Sequence, residues 1–123
     1  MRKEIVDQFI GNALTHIGTS GIVKSNGKIS NEYKGYVSSF GTSVMQCGLI
    51  PALALFSDES SGSKDKSKIV LVLKQMLGVT TEPSLLKHAL TLRNNRTAFD
   101  ELEEKVLHAS VALKLAIRTF EIE

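Results

Sequence analysis

Apolar positions recur at helical spacing along nearly the whole chain. From residue 2 to about 17 they fall at Ile5, Val6, Phe9, Ile10, Ala13, Leu14 and Ile17, one face of a helix with a period of about 3.6. Gly18 stands where a C-terminal cap belongs. TSGIVKSNGK, residues 19–28, is rich in residues that favour turns and predicts a loop. A second helix begins at Ser30 or Asn31, with Glu32 favouring its positive dipole end. Its apolar face is Tyr33, Tyr36, Val37, Phe40, Val44 and Cys47. The opposite face, Gly35, Ser39, Thr42, Ser43 and Gln46, suits either solvent or a neighbouring backbone at close range.

The longest apolar stretch is then broken by Gly48 and Pro51. Glycine can take the left-handed conformation that ends a helix, and proline sits without cost in the first turn of the next. The break therefore predicts a helix-to-helix corner, followed by a short helix, PALALF, and a polar linker at about residues 57–66. KIVLVLKQML, residues 68–77, has β-branched residues that suit a buried strand equally well. With no second strand to pair with, it is assigned to a helix. Thr81 or a neighbour caps the next helix, with Glu82 and Pro83 in its first turn and Leu85, Leu86, Ala89, Leu90 and Leu92 along it. RNNR turns the chain into a last helix from about Thr97 to Ile122. Its stripe is Phe99, Leu102, Val106, Ala109, Leu113, Ala116, Ile117 and Phe120, with Asp100 and Glu101 in its first turn. The expected fold is all-α, a single-domain bundle of five to six helices over residues 1–123. Its core includes Phe9, Tyr36, Phe40, Leu53, Phe56, Leu102, Val106 and Leu113.

Composition narrows the class. A chain of 123 residues with 42% hydrophobic and 23% charged residues supports one core, burying about 68% of the unfolded chain's surface. The single cysteine, Cys47, excludes an intrachain disulfide, points to a reducing compartment and is expected to be a small buried hydrophobe. Glu4, Asp7 and Gln8 interrupt any secretory signal, and CGLIPALALF is half the length needed to cross about 30 Å of hydrocarbon. The expected setting is cytoplasmic, with no membrane partner and a silent sequon at Asn95-Arg96-Thr97.

Net charge is +2 but unevenly spread. Residues 60–99 hold seven basic residues against two acidic ones, and residues 100–123 hold three against six. Such asymmetry suits an electrostatic footprint on one side of the molecule, or simply solvated helix faces.

Motifs that would carry chemistry fail on spacing. In GIVKSNGKIS five residues separate Gly21 from Gly27 where a phosphate-binding loop needs four, and Ile29 replaces the metal-binding hydroxyl. His16, His88 and His108 lie on three different predicted helices without a second ligand at metal spacing, so no metal or other cofactor is implied. No nucleophile elbow or Cys-x-x-Cys pair occurs, and an enzyme is not expected. LLKHALTLRNNRTAFDEL has the outline of a helix-turn-helix. Its presumptive reading helix, however, opens with Asp100, Glu101, Glu103 and Glu104, which would repel phosphates.

ISNEYKGYVSSFGTSVMQCGLIPALALF, residues 29–56, resembles the signature region of the small helical subunit of type III-B CRISPR effector complexes, the Cmr complexes. The resemblance rests on Tyr33, Lys34, Tyr36 and Val37 opening a helix, on Gly48 and Leu49 breaking it, and on Ala52, Leu53, Ala54, Leu55 and Phe56 following. VALKLAIRTFEIE is similar to that family's final helix, with Arg118 on its basic position. These are packing motifs and cover about a third of the chain.

The resemblance implies a noncatalytic subunit in antiviral defence. Copies stack along a backbone filament beside other Cmr subunits and help line the channel that holds CRISPR RNA and target RNA. A channel lining needs cations that reach phosphates but no base-reading apparatus, because guide pairing supplies sequence specificity. The candidate RNA contacts are Lys34, Arg93, Arg96, Lys114 and Arg118. Lys34 and Arg118 fall on the similar stretches, while the other three rest on local charge. The alternative is a helical adaptor that binds only proteins and carries its lysines for solubility.

Overall fold

The computed structural model describes residues 3–57 and 66–122. Among these the chain forms α1 (Lys3–Thr19), β1 (Lys28–Ile29), α2 (Asn31–Cys47), α3 (Leu49–Phe56), α4 (Ser67–Met76), α5 (Leu85–Leu92), α6 (Arg96–Ile117) and β2 (Glu121–Ile122). The result is an all-α, single-domain helical bundle, as the periodicity predicts.

α6 is its axis, packed against α1, α2, α4 and α5. From Val106 to Ile117 it buries Ala109, Ala112 and Ala116 beside Leu113 and Ile117. Small side chains let neighbours approach from several sides, and α2 uses this at Gly41, where an added Cβ would lie 3.6 Å from Ser110 Oγ. The close approach of α2 is thus made by Gly41. Of the small face read from the sequence, Gly35, Ser39, Thr42 and Gln46 are exposed. Phe40, fully buried, meets Phe56 edge to face at 5.3 Å between ring centres, which locks α3 back onto α2. KIVLVLKQML is helical: Ile69, Val72, Leu73 and Met76 face inward at helical spacing, while Leu71 stays exposed.

The corner forms as expected. Gly48 has φ 95° and ψ 167°, serves as C-cap of α2 and N-cap of α3, and donates its N–H to Val44. Pro51 occupies the third position of α3. Glycine has no side chain to cap the helix it begins, and the cap arrives from elsewhere: Glu103 Oε2, on α6, accepts the Leu49 N–H at 3.2 Å. A carboxylate at a helix N-terminus both satisfies an orphan donor and favours the dipole. Replacing Glu103 with alanine is expected to cost about 0.5–2 kcal/mol, read as a lower urea midpoint at unchanged slope. An unchanged midpoint would mean that water replaces the carboxylate at no cost.

Several sequence expectations need correction. α1 runs past Gly18 to Thr19, and the positive φ falls on Gly21 at 85°. Ser30 precedes α2 without a side-chain cap bond. The cap of α5 is Ser84, whose Oγ accepts the Lys87 N–H at 3.1 Å, so Glu82 and Pro83 lie before the helix. α6 begins at Arg96, capped by Asn95, which moves Asp100 and Glu101 out of its first turn. It ends at Ile117, and Glu121–Ile122 instead pairs in parallel with Lys28–Ile29, so a second strand does exist, too short to notice. Cys47, the last residue of α2, is exposed. Of the expected core, Phe40, Leu53, Phe56, Leu102, Val106 and Leu113 are buried, while Phe9 and Tyr36 pack against it half-exposed. Tyr36 uses its exposed end to donate from its hydroxyl to Glu32 Oε2 at 3.3 Å. The polar linker lies largely outside the described residues.

Candidate nucleic-acid interface

The five candidate cations divide into two groups. α6 carries Arg96 at its start and Arg118 at its C-cap; with about 1.5 Å of rise per residue they lie about 33 Å apart along the axis. Arg93, the C-cap of α5, shares the turn with Arg96. Both arginines are exposed, but the Arg96 Nε is 3.3 Å from Asp100 Oδ2 one turn on. Exposed pairs of this kind contribute about 1 kcal/mol at most, yet the carboxylate still cancels charge that a phosphate would need. Three exposed acids, Asp100, Glu101 and Glu104, follow on the same helix.

The other end is different. Lys114 lies in the last turn of α6, half-buried, and Arg118 follows one turn later, exposed. Spacing of i, i+4 keeps them on one side of the helix. Lys34 joins them through the packing of α2. Leu49 meets Glu103, Gly41 meets Ser110, and Lys28, just before α2, is paired with Glu121, just after α6. As numbers fall along α2 they rise along α6, so the two helices run antiparallel and Lys34 stands level with residues 117–118. The fold therefore brings Lys34, Lys114 and Arg118 to one end of the bundle and leaves Arg93 and Arg96 at the other.

A shallow groove lies beside Arg93, lined also by Glu82, Lys87, Leu90 and Thr91. The Thr81 hydroxyl donates to Glu82, and Glu82 Oε2 is 3.1 Å from His88 Nδ1. The hydroxyl first, then the ring, hold the Glu82 carboxyl below its ordinary value. Its negative charge thus persists next to Arg93, a second reason for which this end is the poorer anion surface.

Elsewhere, His108 is buried with Nδ1 2.8 Å from the Glu104 carbonyl oxygen. It serves the packing of α6. Among the described residues no three His, Cys, Asp or Glu side chains gather as a metal site, and no helix is long and apolar enough to cross a membrane.

Residues 13–117 match the family model of a CRISPR-associated protein, Cas_Cmr5. The chain belongs to that family. It is a small CRISPR-associated subunit of the Cmr, type III-B, system. No curated protein and no solved structure matches it. Within this Cmr subunit the matched range takes in Lys34, Arg93, Arg96 and Lys114, and Arg118 follows it directly. β2 lies beyond the match, whereas β1 and the whole α2–α3 corner lie inside it.

Proposed function

We propose that this Cmr subunit is noncatalytic and acts in antiviral defence in the cytoplasm. It stacks with copies of itself and other Cmr subunits along a filament, and its basic end lines the channel for CRISPR RNA and target RNA. The observation that carries the reading is that Lys34, Lys114 and Arg118 lie at the same end of the bundle, where α2 begins and α6 ends. Cations of this kind reach phosphates and carry no sequence information, which suits a strand whose sequence is read by pairing with a guide. Arg93 and Arg96, beside Glu82 and Asp100, are assigned a lesser share of the contact.

The test is a charge reversal, Lys114→Glu with Arg118→Glu, in the assembled complex. Target-RNA affinity should fall alike for every sequence, and the slope of log K against log salt should shrink by about 0.7 per lost single-strand phosphate contact, about 1.4 in all. Lys114 is half-buried and both cations favour the C-terminal dipole of α6, so the reversal should cost up to about 2 kcal/mol of stability, and assembly of the complex is checked before binding is read. An intact complex with unchanged affinity and slope would refute the assignment. It would favour the adaptor reading instead, to which the exposed Met45 and Leu55, at 77% and 54%, lend their apolar surface.

A further inference from the structure

α3 is apolar on every face. Its sequence, LIPALALF, holds no polar side chain, and it sits within residues 35–57, a stretch without Asp, Glu, Lys, Arg or His in a chain that is 23% charged. A helix of this kind belongs in an interior, with neighbours all round. Among the described residues only one side has them. Leu49, Ala52, Leu53 and Phe56 are buried against the bundle, while Pro51, Ala54 and Leu55 are exposed, Leu55 at 54%, and half-buried Ile50 lies beside them. Positions 50, 51, 54 and 55 share one helical face, so they form an outward apolar ridge. The residues that follow α3 along the chain, DESSGSKD at 58–65, contain no apolar side chain to lay over it.

A second apolar surface is built by other helices. Val6 of α1 and Val111 and Leu115 of α6 line a groove of about 310 Å³, with Lys3 and Asp7, one charge of each sign, exposed at its edge. α3 packs on α2, α4 and α5, whereas the groove belongs to α1 and α6. Ridge and groove are therefore separate surfaces of one chain. The ridge is uncharged and the groove carries no net charge, so nothing sets one against the other.

We propose that the α3 ridge of one copy of this subunit seats in the α1–α6 groove of the next. This rests on the stacking reading above and assigns its contact. Laying an apolar helix face in a hydrophobic groove is a recurrent mode of recognition, and depletion of charge marks the core of an interface. The ridge offers RNA no cation, hydroxyl or amide side chain for its phosphates. A second copy brings the fitting surface with it. The other way to join copies, the acidic start of α6 against the basic end of a neighbour, would consume the cations Lys34, Lys114 and Arg118. Because ridge and groove differ, each copy added leaves one of each free, and the contact propagates along a row unless its rotation closes a ring. The ridge is short, so the contact is a weak one that gains from copies being held side by side in the complex.

The test therefore uses assembled Cmr complexes. Their subunit carries Cys47→Ser, which removes its exposed native thiol, with Ala54→Cys on the ridge, Asp7→Cys at the groove, or both. Native mass spectrometry counts the copies, and a bismaleimide bridges thiols on adjacent chains. The subunit with both substitutions is expected to give bridged multimers up to the number of copies counted. A mixture of the two singly substituted subunits should give dimers only, and either one alone no product. Adding Leu55→Glu to the doubly substituted subunit should abolish the bridging, with far-ultraviolet spectrum and melting like those of wild type because Leu55 is exposed. Several copies without bridged product would overturn the contact and leave the stacking reading standing. A complex with a single copy would overturn both. Product from Ala54→Cys alone would mean that two ridges face each other, and a bridge to a different Cmr subunit would give the ridge to that subunit; either result overturns the proposal.

Discussion

Truncating Phe40 to alanine is expected to destabilise the protein by about 3–5 kcal/mol, the usual cost of emptying a fully buried phenylalanine site. The ring has no solvent exposure and meets Phe56 edge to face, an arrangement worth about 0.5–1.5 kcal/mol beyond the area it buries. Domains of this kind are stable by about 5–15 kcal/mol in total, so one substitution removes a third or more of the margin in most of that range. Urea unfolding followed by circular dichroism should give a much lower midpoint with little change in slope. A loss below about 1 kcal/mol would mean that α3 does not rest on α2 as described.

Gly48→Ala should also be costly, for a conformational reason. At φ 95° and ψ 167° Gly48 occupies a region of backbone space that is essentially reserved for glycine, with a penalty on the order of 1–3 kcal/mol for other residues. Crowding is a lesser concern, because an added Cβ would meet only Pro51 Cδ, at 3.9 Å, an ordinary contact. The strain falls on the joint between two helices, so relaxing it means swinging α3 away from Phe40. The expected phenotype is lower stability together with weaker incorporation into the Cmr complex. Stability equal to wild type would show that the corner has another conformation of similar energy.

Much of this architecture is legible along the chain because it is written in local terms. Helical periodicity over three or more turns identifies α1, α2 and α6, and Gly48 with Pro51 marks the corner through the conformations those residues prefer. What escapes is what depends on partners far away. Glu103 belongs, by its neighbours, to a solvated acidic run; its bond to Leu49 exists only because α2 and α6 pack antiparallel. Glu121 and Ile122 continue a helical stripe in sequence but pair with Lys28 and Ile29 in space. The candidate interface divides in the same way. Lys114 and Arg118 are recognisable as a pair from their spacing alone. That Lys34 lies at their end of the bundle, and Arg93 and Arg96 at the other, follows from the fold.

The bond between Glu103 and Leu49 has a kinetic side. α3 has eight residues, too few to hold a helix on its own in water, where about 12–15 are marginal. Its first turn is completed by a side chain 54 residues further along the chain, and the closing of so long a loop must come first. α3 should therefore be among the last elements to consolidate, after α2 and α6 have found each other. Removing the Glu103 carboxylate would then leave the refolding rate nearly unchanged and shorten the lifetime of the native state, which makes α3 the door through which this bundle comes apart.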